Sequence, residues 1–221
     1  MLNALFYPAG TKEKPIKFDS LYIPYIYKEI YFEGVYTDIF TGKKDMTVID
    51  VGANIGVVTQ YMREFAKIIY AIEPSPEHFE ALKKNVEFNK WTNVKPFQLA
   101  LSNKDGKAML NQLDQNRTSH SLAIEYKGDQ VEVDTMCFDT FLEKNKIKGD
   151  IDFVKFDVEG AEDMILRSEG FKKIAHRIKA IEVEFHFPTF PDLVQYMMSL
   201  GFEARRYDSS AVIVLFTRID K

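Results

Sequence analysis

Val48-Ile-Asp-Val-Gly-Ala-Asn-Ile-Gly56 is the stretch on which the fold turns. A short apolar run, Thr47–Val51, stops at Gly52, as a buried parallel strand does where it enters a sharp turn. Gly52 permits that turn, and Gly56 lets the next helix approach closely. Helical spacing follows at once, with Val57, Tyr61, Met62 and Phe65 on one face. A second strand, Ile68–Ile72, runs into Glu73-Pro74. Ser75-Pro76-Glu77 then offers an N-cap, a proline at the first helical position and an acid in the first turn, with Phe79, Leu82 and Val86 as the helix's inner stripe.

The alternation continues outward. Strands are expected at Val94–Leu99, Ile151–Val158 and Ile178–Phe185, and helices at Phe138–Lys144, Glu162–Ser168 and Phe190–Leu200. Val131–Met136 reads as a peripheral strand, Ser102–Gly106 as a turn, and the polar stretch 107–130 shows no period. Phe202–Tyr207 and Ala211–Thr217, joined by Asp208-Ser209-Ser210, must pair antiparallel across so short a link. Repeated β-α units imply an α/β fold, a mostly parallel sheet with helices on both faces and one antiparallel edge. Residues 1–45 stand apart. Tyr22, Tyr25, Tyr27, Tyr31, Phe32, Tyr36 and Phe40 crowd there, which suggests an N-terminal cap on a domain spanning 46–221, with Gly42-Lys43-Lys44-Asp45 as the boundary turn.

Composition narrows the classes. At 221 residues the chain can bury a sizeable core, and 46 % hydrophobic with 28 % charged residues is ordinary for a soluble globular protein. No apolar run approaches the roughly 20 residues of a bilayer span, and the N-terminus lacks the basic start and apolar stretch of a secretory signal. A cytoplasmic location is the resulting expectation. Cys137 is the single cysteine, which excludes an intrachain disulfide and a Cys-based zinc site. A net charge of −4, with lysine pairs scattered along the chain, disfavours a nucleic-acid partner.

In open α/β sheets, ligands sit beyond the carboxyl ends of the strands. The first strand ends in Asp50 through Gly56 and the second in Glu73, an acid placed to accept hydrogen bonds from the ribose hydroxyls of an adenosine. A dinucleotide site expects G-x-G-x-x-G, whose second glycine lets the backbone approach a pyrophosphate. Asn54 holds that position here and would crowd one. S-adenosylmethionine carries no phosphate. Asp50 can serve its ammonium group, directly or through water, and loop amides its carboxylate. A nicotinamide-dependent oxidoreductase remains the competing enzyme, and a non-catalytic binding module of the same fold the competing non-enzyme.

Val48–Gly56, Ala71-Ile-Glu-Pro-Ser-Pro76, Ala100-Leu-Ser102 with Asp105-Gly106, and Phe153-Val-Lys-Phe-Asp-Val-Glu-Gly-Ala-Glu162 together resemble the successive motifs of the FkbM-type methyltransferases. Val133-Asp-Thr-Met-Cys-Phe-Asp139 resembles the segment which that family carries before its fourth core strand. The resemblance covers about residues 46–186. It implies a Rossmann-like class I methyltransferase sheet of seven strands, and O-methylation of a hydroxyl on a sugar, glycan or natural-product-like small molecule. By the same resemblance Asp50, Gly52, Ala53, Asn54 and Gly56 belong to the first cofactor loop, and Glu73 with Pro74 to the ribose. Ala100, Leu101 and Ser102 would flank the adenine, although Ser102 taken alone reads as a turn residue.

Methyl transfer needs a positioned nucleophile and benefits from loss of its proton. Alternation puts Lys155, Asp157 and Glu159 on one face of the fourth strand, and Glu182, Glu184 and His186 on one face of the fifth. The candidates for the chemistry are Asp157, Glu159, Glu184 and His186. His186 is read as a neutral imidazole able to accept the hydroxyl proton, oriented by Glu184 or Glu159. A structural Lys155–Asp157 ion pair is the plainer alternative, with Glu162 on a helix surface. His78 and His176 are expected at the surface, and His120 in a loop able to close over the cofactor. No metal is expected. Mg²⁺ held by Asp157 and Glu184, with Glu159 and His186, is the lesser possibility.

Overall fold

The computed structural model describes residues 36–112, 120–121, 130–186, 190–206 and 213–219, with the short strands β1 (Ala4–Phe6) and β2 (Ile16–Phe18), which pair antiparallel. Along the chain follow α1 (Thr37–Phe40), β3 (Met46–Val51), α2 (Val57–Met62), β4 (Ala66–Ile72), α3 (Pro76–Phe88), β5 (Val94–Phe97) and β6 (Ala100–Leu101). Next come β7 (Gly106–Gln112), β8 (His120–Ser121), β9 (Gln130–Met136), α4 (Phe138–Lys144), β10 (Phe153–Phe156), α5 (Glu162–Leu166) and α6 (Glu169–Ile174). A 3-10 turn at Ala175–Arg177 leads to β11 (Ala180–Glu184), α7 (Phe190–Ser199), β12 (Phe202–Arg206) and β13 (Ile213–Arg218).

Seven strands form the main sheet in the order β12-β13-β11-β10-β3-β4-β5. Val48 on one face of β3 and Ile49 and Val51 on the other are all buried, which is why the strand reads as an unbroken apolar run. The strands from β11 to β5 are parallel. β13 is antiparallel to both of its neighbours, β11 and β12. The expected hairpin is therefore present with a twist in its placement: β13 inserts beside β11 and leaves β12 as the edge. Buried Val214, Leu215 and Phe216 need cover on both sides, whereas Glu203 and Arg205 of β12 are exposed as on an edge strand. The link Asp208-Ser209-Ser210 lies outside the described residues.

The sheet separates two apolar layers. One holds Phe138 and Phe141 of α4, Ile165 of α5, Phe171 of α6 and Leu193 of α7. The other holds Tyr36, Phe40, Met62, Leu82 and Trp91. Tyr36 and Phe40, read as part of the cap, are thus core residues. The Phe40 ring packs 5.0 Å from that of Phe153 and 5.3 Å from that of Phe65, and burying a ring of this size is worth about 1.5–3 kcal/mol. Tyr22, Tyr25, Tyr27, Tyr31 and Phe32 lie outside the described residues.

The polar stretch after Gly106 conceals a strand. β7 pairs antiparallel with β9 and β8, and β6 pairs parallel with β9, giving a second sheet ordered β6-β9-β7-β8. The strand expected at Val94–Leu99 accordingly ends at Phe97, and β6, just beyond the expected range, joins the second sheet. In this small sheet Ala100, Leu110 and Val133 are buried while Lys107 and Met109 face solvent, too thin an alternation to read in advance. The helix expected over Glu162–Ser168 ends at Leu166, and Ser168 instead caps a further helix, α6, by accepting the Phe171 N–H at 3.1 Å. Backbone pairing sets His120 of β8 opposite Gln112, and its side chain lies outside the described residues.

Candidate active site

A cleft opens where the carboxyl ends of β3, β4 and β10 meet the second sheet. Its floor is the turn after β3. Gly52 has φ +78°, and a Cβ there would stand 1.7 Å from the carbonyl oxygen of Asp157. Glycine is required by the approach of the segment after β10 as much as by the turn. The N–H groups of Gly52 and Ala53 both donate to the Ile72 carbonyl at 3.0 Å. Asn54 follows at φ +51°, a left-handed conformation that asparagine tolerates, and its side-chain oxygen accepts the Ile55 N–H at 2.8 Å. A Cβ on Gly56 would meet the Leu82 side chain at 2.7 Å, so the helix that leans closely on the loop here is α3 and not the expected one that follows Gly56 directly. Asn85 of α3 strengthens that contact by donating to the Ile55 carbonyl at 2.7 Å.

Glu73 lines the cleft beside this turn. Its two carboxylate oxygens accept the Asn54 N–H at 2.8 Å and the Ser75 N–H at 2.9 Å. Burial nevertheless pushes it up to about 7 against those two bonds. A carboxylate oxygen can accept more than one hydrogen bond, so both oxygens keep capacity for hydroxyl donors. His78, expected at the surface, is instead buried and lines the cleft with Nδ1 3.9 Å from Glu73. The buried positions of α3 are His78, Leu82 and Asn85, a helical i, i+4, i+7 series in which two polar residues disguised the inner stripe.

Of the residues expected at the cofactor, Gly52, Asn54, Glu73, Pro74, Ala100 and Leu101 line the cleft. Asp50, Ala53, Gly56 and Ser102 stand behind it. Asp50 is fully buried on β3, takes a hydrogen bond from the Thr59 hydroxyl and lies 4.0 Å from the Lys155 ammonium. Asp50 thus does not line the cleft, from which the sequence reading has it serve a ligand ammonium directly or through water. Ser102 is buried and donates its N–H to the Met136 carbonyl at 2.9 Å. Leu110, Val158, Ala161 and Ile165 add apolar walls that no local pattern singled out.

At the other end of the cleft, Asp157 and Glu159 line the wall, and Glu184 and His186 at the end of β11 come up beside them. The imidazole Nε2 lies 3.4 Å from Glu159, 3.8 Å from Asp157 and 3.8 Å from Glu184. Its Nδ1 lies 2.8 Å from Glu162 Oε1, which also accepts the Gly160 N–H at 2.9 Å. Glu162 is therefore not on a helix surface: it is buried and orients the ring, a role the sequence suggested for Glu184 or Glu159. Asp157, Glu159 and His186 also present three potential ligand atoms within 4.8 Å of one another. Glu159 adopts φ +51°, another left-handed non-glycine residue at the site.

Charge is unusual throughout this end. Burial alone would lower His186, but the Glu162 hydrogen bond and the charges of Asp157 and Glu159 outweigh it and push the ring up to about 9. Burial, with the charge of Asp157, raises Glu184 to about 7 against the pull of Lys155. Glu182, buried one pleat below, is raised to about 8 by desolvation even though the Tyr36 hydroxyl bonds to it. At neutral pH the imidazole carries its proton, and Glu184 titrates in the range where proton exchange is easy.

A mostly parallel sheet with β13 inserted antiparallel beside β11, and a nucleotide-type cleft at its carboxyl end, define the Rossmann-like methyltransferase architecture. The Methyltransferase FkbM domain model matches residues 50–204, and the chain belongs to that family. Methyltransferase 1 of Beauveria bassiana (strain ARSEF 2860) is 29 % identical over 169 residues, which are 67 % of this chain and 68 % of that protein. Among solved structures, Methyltransferase FkbM from Methylobacillus flagellatus KT aligns with a TM-score of 0.53 and 16 % identity, over 78 % of this chain and 43 % of that one. A putative methyltransferase from Streptococcus mutans in complex with S-adenosylhomocysteine aligns with a TM-score of 0.54 and 13 % identity, over 85 % of this chain and 97 % of that one. The two structural likenesses show the fold.

Proposed function

We propose that this protein is an S-adenosylmethionine-dependent O-methyltransferase acting on a hydroxyl of a sugar, glycan or natural-product-like small molecule. One observation carries the reading: a single cleft joins an adenosine-type half, Glu73 with Ala100 and Leu101, to an ionisable wall of Asp157 and Glu159, beside which Glu184 and His186 stand. S-adenosylmethionine, when bound, supplies a methyl group on a sulfonium that is open to in-line displacement. Glu73 accepts from the ribose hydroxyls, Ala100, Leu101 and Leu110 enclose the adenine, and the loop at Gly52–Asn54 faces the methionine end. Glu162 holds the His186 ring, and the charged ring donates from Nε2 toward the acceptor. Glu184 takes the hydroxyl proton. This assignment exchanges the roles that the sequence suggested for Glu184 and His186, for the electrostatic reason given above. The carboxylates at this end and a net charge of −4 disfavour a phosphodiester acceptor.

Calorimetry with S-adenosylhomocysteine, followed by a turnover screen on hydroxylated sugars and phenols, tests the reading. Binding is expected, with turnover of at least one class of compound and a loss of about 10²–10⁴-fold in Glu184→Gln. Absence of binding at millimolar ligand would remove the methyl donor, and binding of NAD(H) in its place would favour the oxidoreductase. Binding without turnover, and biological function intact in Glu159→Gln and His186→Ala, would favour a non-catalytic module.

A further inference from the structure

Three adjacent strands bring Asp50, Lys155 and Glu182 into one row, since register sets Lys155 of β10 beside Asp50 of β3 and Glu182 of β11. Lys155 is buried beneath the cleft, 6 % exposed. Its Nζ donates to the Gly52 carbonyl at 3.1 Å and to Asp157 Oδ2 at 3.1 Å, and stands 4.0 Å from Asp50 Oδ1. These partners have separate tasks. Gly52 forms the turn that faces the methyl donor, and Asp157 lines the reaction end. The two segments abut so closely that no side chain fits between them at Gly52, and one backbone bond, from the Asp157 N–H to the Val51 carbonyl at 3.1 Å, joins them directly. The ammonium reaches both from below.

Resting on the methyl-donor reading above, we infer that Lys155 is a positioning residue that straps the cofactor loop to the reaction-end carboxylate, so that donor affinity and the placement of Asp157 depend on one buried ammonium. Burial opposes its charge, but Asp157, Asp50 and Glu184 hold it well above the ordinary lysine range. Its charge reaches further carboxyls, lowering Glu73 on the adenosine side and Glu182 below. A methionine of similar length would fill the stem's space and leave Gly52 and Asp157 untied.

The test measures S-adenosylhomocysteine affinity by calorimetry at low temperature in the wild type, Lys155→Met, Lys155→Gln, Asp157→Asn and the Lys155→Met/Asp157→Asn double variant, with thermal melts alongside. Expected is at least a tenfold loss in Lys155→Met, partial recovery in Lys155→Gln, whose amide can still donate, and no further loss in the double variant. A folded Lys155→Met that binds within twofold of wild type overturns the inference. So does an additive double variant, because a strap acts as one unit with its anchor. A purely structural lysine would lower the melting temperature and leave the affinity of the folded protein unchanged. Should the Lys155 variants fail to melt cooperatively, Asp157→Asn decides: a loss of threefold or more supports the strap, and unchanged affinity overturns it. If the wild type itself does not bind S-adenosylhomocysteine, it is the methyl-donor reading that fails.

Discussion

The two ends of the main sheet treat charge in opposite ways. At the amino ends of the parallel strands, Arg218 donates to the carbonyls of Ala175, Ile178 and Leu200 and lies 4.3 Å from the centre of the Phe202 ring. Arg177 likewise serves the carbonyls of Ile147 and Gly149, and Asp152 accepts from the Thr47 N–H and from Lys179. At the carboxyl ends, carboxyl groups face one another, and Asp50 Oδ1, Asp157 Oδ1 and Glu182 Oε2 are buried without a hydrogen-bond partner. Carbonyl partners do not titrate, so the two arginines supply stability that pH does not alter, and of the amino-end carboxyls named only Asp152, held below its ordinary range, loses its contribution in acid. Crowded carboxyls cost stability, and they are tolerated where a ligand and a proton are to be handled.

Gly52→Ala should break the comparison most severely. It forces a Cβ into the Asp157 carbonyl at a positive φ, with an expected loss on the order of 3 kcal/mol and no measurable S-adenosylhomocysteine binding. Urea unfolding and calorimetry check both halves. At the opposite end, Arg218→Ala leaves several backbone carbonyls without their donor and should cost about 2–3 kcal/mol. Affinity for S-adenosylhomocysteine, measured well below the melting temperature, should stay within twofold. A large affinity loss there would mean that the two ends are not separable.

The pH dependence of stability sharpens the same contrast. Glu73 and Glu184, both raised to about 7, and Glu182, raised to about 8, hold protons in the folded chain that the unfolded chain has released. His186, raised from 6.5 to about 9, does the same at higher pH. Both kinds of group therefore make stability fall as pH rises from about 5 to 9. The lowered carboxyls Asp105 and Asp152 act only in more acid solution. A melting temperature of the unliganded protein that rises across this window would contradict the charge assignment. The smallest effect expected is that of chelation. The proposed proton transfer to Glu184 uses no ion at Asp157, Glu159 and His186, so EDTA should leave turnover unchanged. A fall restored by Mg²⁺ would instead assign those three residues to a divalent ion and a deprotonated ring.

The sequence by itself determined the parallel sheet, the turn at Gly52–Gly56, the acid Glu73 at the end of the second strand and the Ser75 cap, because each rests on neighbours within a few residues. The family motifs were legible for the same reason. Tertiary structure alone decided that Asp50 supports the cleft from behind, that His78 is buried in it and Glu162 behind His186, and that a second sheet supplies Leu110. It also decided that the His186 ring is charged and that Lys155 spans both halves of the site. Periodicity reports which residues share a face. Whether a polar side chain on that face is buried, and what charge it keeps there, depends on remote segments that pack against it, and no local spacing records them.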